Sequence, residues 1–147
     1  MSTIQVQTVE DITSELVEAI GLLTAQLSST AAAPSFNELA EIAASPATTL
    51  FVAQVDERIV GMFTLVLIRI PTGLRAIFED LVVLASHRRR GIGEQLMRAA
   101  LARARSAGAR TVDFTSRPSR ETANRLYLRL GFVVRDTQVY RYSPDLG

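Results

Sequence analysis

Between Thr48 and Leu84 lie three successive runs rich in Val, Ile, Leu, Phe and Thr: Thr48–Val55, Ile59–Ile70 and Leu74–Leu84. Side chains of these types fit a pleated, half-buried surface. The segments between them, Asp56-Glu57-Arg58 and Pro71-Thr72-Gly73, are turn-forming. This pattern predicts three antiparallel strands joined by short hairpins. So apolar a meander must be covered, which restricts the chain to folds that pack other elements against a sheet.

The flanking sequence supplies the cover. Ile12, Leu16, Ile20, Leu23 and Leu27 recur at helical spacing from Asp11 to about Ser28, with Asp11, Glu15 and Glu18 near the start, where the helix dipole favours acids. Ser35 can cap a second, short helix through Glu38, Leu39 and Ile42 that stops before Pro46. Before both, residues 4–9 alternate apolar and polar as a half-buried strand does.

After Gly91 a stripe of Ile92, Leu96, Met97, Ala100, Leu101 and Ala104 predicts a helix ending at Gly108. Residues 110–115 then read as a strand, Ser119–Leu130 as a helix capped by Ser119, and Phe132–Val134 and Gln138–Tyr142 as the last strands. The predicted order is β-α-α-β-β-β-α-β-α-β-β, an α+β sheet protein. With 147 residues, 48% of them hydrophobic and 21% charged, and no linker or low-complexity stretch, residues 1–147 are read as one domain.

Composition excludes several chemistries. Without cysteine there is no disulfide, thiolate ligand or Cys nucleophile, and with His87 the one histidine, a histidine-based metal site is not expected. A formal charge of +1 argues against a polyelectrolyte partner, so neither nucleic acid nor a membrane surface is expected. The amino terminus lacks a basic segment followed by an apolar run, and no stretch reaches membrane-spanning length, so the expected location is cytoplasmic.

Residues 88–94, Arg-Arg-Arg-Gly-Ile-Gly-Glu, join a strand to a helix. A helix N-terminus leaves backbone N–H groups unpaired and carries partial positive charge, and glycines let a phosphate approach those amides. The segment is neither a Walker loop, which needs Gly-x-x-x-x-Gly-Lys-Ser/Thr, nor a dinucleotide fingerprint, which needs a third glycine. Read alone, it also fits a solvated turn entering a helix.

Arg88-x-x-Gly91-x-Gly93, preceded by the strand Glu79–Leu84 and followed by Ala123-Asn-Arg-Leu-Tyr-Leu-Arg-Leu-Gly-Phe132, resembles the GNAT superfamily of N-acetyltransferases, as does the order of elements over nearly the whole chain. The resemblance implies the GNAT acyl-CoA N-acyltransferase fold, a central, mostly antiparallel, splayed sheet flanked by helices. It implies an acetyl-CoA-dependent transfer to a primary amine, with acetyl-CoA as cosubstrate and no metal.

By the same resemblance, the backbone amides of Arg89, Arg90, Gly91, Ile92, Gly93 and Glu94 hold the pyrophosphate of the cosubstrate, with Arg88 to Arg90 assisting by charge. The strand at Leu81, Val82 and Val83 offers its main chain to the pantetheine arm, although ordinary core packing explains those three side chains equally. Tyr127 matches the tyrosine that protonates the departing thiolate; a buried core tyrosine fits the same position. Glu79 is the candidate base, directly or through water, and strand alternation would turn Asp80 to the opposite face. Where many members carry Asn seven residues before the tyrosine, this chain has Arg120, so Arg120 and Asn124 are the candidate further contacts to the cosubstrate.

The acceptor is left open: an amino acid, an amino sugar or related metabolite, or a protein amine. An acyl-CoA-binding sensor without catalysis is the alternative function, and a homodimer a possible assembly.

Overall fold

The computed structural model describes residues 3–144, which divide into two compact units, one ending at Phe114 and the other beginning at Thr115. The first runs β1 (Ile4–Thr8), α1 (Ser14–Leu27), α2 (Phe36–Ala44), β2 (Thr48–Val55), β3 (Arg58–Ile70), β4 (Gly73–Val83), a single 3-10 turn (Ala85–His87), α3 (Ile92–Ser106) and β5 (Thr111–Asp113). The strands form one sheet in the order β1-β2-β3-β4-β5. Pairing is antiparallel from β1 to β4 and parallel between β4 and β5.

The expected meander is present, and its turns show how it closes. Asp56 and Glu57 take φ of 50° and 65° between β2 and β3, positive values at both central positions, as in the two-residue turns that match strand twist. At the next turn Gly73 has φ 126°, and a Cβ there would stand 2.7 Å from Cδ of Arg110. Only glycine fits that position.

Both faces of the sheet are covered. Leu16, Ile20 and Leu23 of α1 and Leu39 of α2 pack with Leu50, Val52, Met62 and Val82. Strand alternation turns Gly61, the neighbour of Met62, to the other face, where Leu96 and Ile92 of α3 approach it. There Ile92, Leu96, Met97, Ala100 and Ala104 are buried, and each fully buried large aliphatic side chain among them stabilises the unit by about 1.5–3 kcal/mol.

Helix starts are fixed locally. Thr13 Oγ1 accepts from the Leu16 N–H at 3.1 Å, so α1 begins three residues later than Asp11. Ser35 caps α2 as the sequence predicts, and Glu38 completes a reciprocal capping box with it, at 3.1 and 3.0 Å.

The second unit contains α4 (Glu121–Arg129). Its N-cap is Arg120, with φ −84° and ψ 65° and no side-chain cap bond; Ser119 is not the cap. The strands expected at Phe132–Val134 and Gln138–Tyr142 are not formed among the described residues, and Val133, Val134, Val139, Tyr140 and Tyr142 are exposed. An apolar pattern states that a segment suits pairing, but a strand exists only where a second strand takes its backbone groups. No helix among the described residues is long and apolar enough to cross a membrane.

Candidate active site

The site begins at an irregularity in β4. Thr64 faces Glu79, but the next pair along is Met62 with Val82, so Asp80 and Leu81 together oppose the single residue Phe63. This is a bulge, and Asp80 carries its left-handed backbone at φ 57°. The regular alternation expected to separate Glu79 from Asp80 is broken there, and both side chains are exposed.

A second strand edge opens beyond the bulge. β5 pairs with β4 only at Arg75, Ala76 and Ile77, where Arg75 is ion-paired with Asp113 and its Nε donates to Thr111 Oγ1 at 3.4 Å. From Phe78 to Val83 no strand among the described residues flanks the outer side of β4. The Leu84 N–H donates to Val60 O at 2.8 Å, which sets the alternation of the strand end: Val82 and Leu84 direct their backbone groups to β3, Leu81 and Val83 outward. Val82 is buried in the α1/α2 core, while Leu81 and Val83 are half-buried.

The strand delivers the chain to a positively charged cradle. Arg88 is extended at φ −70° and ψ 159°, Arg89 is left-handed at φ 66°, and Gly91 is left-handed at φ 77°. Left-handed Gly91 is followed by right-handed Ile92, and such a pair turns successive N–H groups into one concavity, as in anion-binding nests. Gly91 is the N-cap of α3 without any side-chain cap bond, and Gln95 is the first residue to donate back, to Gly91 O at 3.1 Å. The N–H groups of the first turn therefore have no acceptor within the helix.

A Cβ added at Gly93 would meet nothing within 4 Å, so those amides can be approached closely. Arg88, Arg89 and Arg90 are exposed around them. Ile92 is buried and ties this turn to the sheet, and Glu94 Oε2 accepts from Arg98 Nε at 3.0 Å. The cradle has what a diphosphate needs: first-turn amides whose acceptors lie outside the helix, helix-end charge, guanidinium groups and open space.

In the second unit α4 holds Asn124 and Tyr127, with Arg120 at its N-cap. Tyr127 is buried and makes an edge contact with Phe132, ring centres 6.5 Å apart. Burial pushes its hydroxyl above the usual tyrosine range, and the charge and hydrogen bond of Arg120 partly oppose that shift. Asn124 is engaged locally: its side-chain oxygen accepts from Ser116 Oγ at 2.7 Å and its Nδ2 donates to Arg117 O at 3.0 Å.

The first unit thus brings Glu79, Leu81, Val82 and Val83 onto one strand, with residues 88–94 at its exit. Asn124 and Tyr127 lie on α4 of the second unit, with Arg120 as its N-cap. Sequence reasoning missed the bulge at Asp80, because no glycine signals it, and Gln26, whose side chain bonds the end of β4.

A mostly antiparallel α+β sheet whose open strand runs into a basic helix-terminal cradle is the architecture of an acyltransferase. The chain belongs to the acetyltransferase (GNAT) family, whose sequence model matches residues 16–132, and it is an enzyme of the N-acetyltransferase type. An acetyltransferase from Trypanosoma brucei is 27% identical, with a TM-score of 0.73 over 96% of this chain and all of that one, 100%. Glucosamine-6-phosphate N-acetyltransferase from Arabidopsis thaliana is 16% identical, with a TM-score of 0.78 over 95% and 98% of the two chains. An aminoglycoside N-acetyltransferase solved in complex with CoA is 18% identical, with a TM-score of 0.77 over 97% and 96%. No curated protein matches the sequence.

Proposed function

We propose that this enzyme transfers the acetyl group of acetyl-CoA directly to the primary amine of a small metabolite, an amino sugar or amino acid before a protein amine. The observation that carries this reading is the continuity of β4's open outer edge at Leu81 and Val83 with the amide cradle at residues 89–94. Such an edge suits a ligand with amides in its chain, and such a cradle suits a diphosphate at the end of that chain. Coenzyme A joins the two. Solved structures of like fold carry amino-sugar acceptors in their names, an aminoglycoside and glucosamine 6-phosphate.

In the transfer, Glu79 accepts the proton that the amine nitrogen loses as the new N–C bond forms, directly or through water. Tyr127 gives its hydroxyl proton to the sulfur as the C–S bond breaks. The buried hydroxyl is held protonated at neutral pH, which is the form an acid must have. Neither step needs a covalent enzyme intermediate, in keeping with a chain without cysteine.

The test is an acceptor screen at saturating acetyl-CoA, with amino sugars and their phosphates, amino acids, polyamines and peptide N-termini, read as released thiol. Turnover of an amine supports the reading. CoA binding without turnover of any amine would instead favour the acyl-CoA sensor.

A further inference from the structure

Gln26 lies near the end of α1 and is exposed, yet its side-chain amide makes two hydrogen bonds to backbone far away in sequence. Its Nε2 donates to Val83 O at 2.7 Å, and its Oε1 accepts from the Ala85 N–H at 3.0 Å. Both backbone groups are on the outward side of β4, because Leu84 between them donates to Val60 on β3. One donor and one acceptor placed on O of residue 83 and N–H of residue 85 reproduce what a single residue of a neighbouring parallel strand offers. The glutamine therefore substitutes for one residue of the strand that β5, ending at Asp113, does not supply.

This position bears on the cosubstrate. The outward groups of Leu81 and the outward N–H of Val83 are the part of the edge that Gln26 leaves for a ligand; the next two outward groups, Val83 O and Ala85 N–H, it takes itself. We infer that Gln26 is a positioning residue that fixes the register of the pantetheine arm: it closes the β4 edge at Val83–Ala85, so that a chain of amides pairs at Leu81 and Val83 N–H and its phosphates arrive at residues 89–94. The inference rests on the acetyl-CoA reading above and adds a residue to it.

A double-mutant cycle on CoA affinity tests this. Gln26→Leu keeps the side-chain bulk and deletes both hydrogen bonds. Ala85→Pro deletes only the N–H that Gln26 accepts from. Proline suits this site because Ala85 opens a helical turn and Leu84 before it has φ −53° and ψ 139°, the extended backbone that precedes proline.

Calorimetric titration of CoA into the whole protein should show Gln26→Leu weakening affinity about tenfold in the native background. In the Ala85→Pro background, where one of the two bonds is already gone, the same substitution should cost only about threefold, because the effects of neighbours that share an interaction do not add. A purely steric role for residue 26 would give equal factors in both backgrounds. Equal factors, an unchanged affinity, or tighter binding in Gln26→Leu each overturn the inference while leaving the acetyl-CoA reading intact. A native protein that takes up no CoA overturns both.

Discussion

Gly61 of β3 lies beneath Leu96 of α3: a Cβ on the glycine would stand 3.2 Å from Leu96 Cδ1, and equally close, at 3.3 Å, to Ile92 Cγ2 and to Val82 O. The first two neighbours sit in the opening turns of α3, the helix whose N-terminus forms the proposed phosphate cradle. The third is backbone of β4 and cannot rotate away. Gly61→Ala should therefore destabilise the protein by about 1–3 kcal/mol, the usual effect of overpacking, and weaken CoA binding by lifting the turn that carries Ile92 and Gly93. Urea unfolding and CoA titration check both; wild-type stability in the alanine variant would refute the close packing.

Gly93→Ala separates stability from binding. The position is helical, and an added methyl group would meet no atom of the protein. Alanine is preferred over glycine in a helix by about 1 kcal/mol, so unfolding should show equal or greater stability. The same methyl group would stand among the amides assigned to the diphosphate, and CoA affinity should fall at least tenfold, about 1.4 kcal/mol. Unchanged affinity would remove Gly93 from the cradle.

What the sequence discloses of this design, and what it hides, follows from the range of the interactions. The Ser35–Glu38 capping box, the α3 stripe and the glycine at the left-handed N-cap of α3 are settled within a few residues, and all are legible in the sequence. The bulge at Asp80 is not, since a strained left-handed aspartate arises from the mismatch of β3 and β4 and not from a local preference. Gln26 is invisible for the same reason, its partners being 57 and 59 residues away. The strand-like segments at Phe132–Val134 and Gln138–Tyr142 were legible as apolar patterns, but pairing requires a partner edge that no local pattern specifies.

The parallel pairing of β5 has a measurable electrostatic component. β5 pairs with β4 at three positions, and Arg75 of the first pair is ion-paired with Asp113 of the third. Both side chains are about one-third exposed, 38% and 31%, so solvent screens the pair. Asp113→Asn should cost no more than about 1 kcal/mol. The difference from the native protein in urea unfolding should shrink when salt rises from 0.05 M to about 1 M, where the screening length falls to about 3 Å. A loss that is insensitive to salt would show that hydrogen-bond geometry, and not charge, carries the contact.

Tyr127 gives the pH dependence its sign. Its hydroxyl is raised above the ordinary tyrosine value of 10.0, first by burial, with the Arg120 charge and hydrogen bond acting against it. The neutral form is thus favoured in the folded protein. Its contribution to stability is complete below pH 10 and is lost as pH rises through the folded-state value. In the proposed role of proton donor to sulfur, Tyr127 should keep the rate free of any loss from its own ionisation until the pH exceeds 10. Tyr127→Phe should lower turnover about a hundredfold or more with little change in CoA affinity. Arg120→Ala removes the two influences that oppose the shift, so the tyrosinate absorbance that disappears in Tyr127→Phe should move to still higher pH. If it moves to lower pH, Arg120 does not stabilise the ionised form of Tyr127.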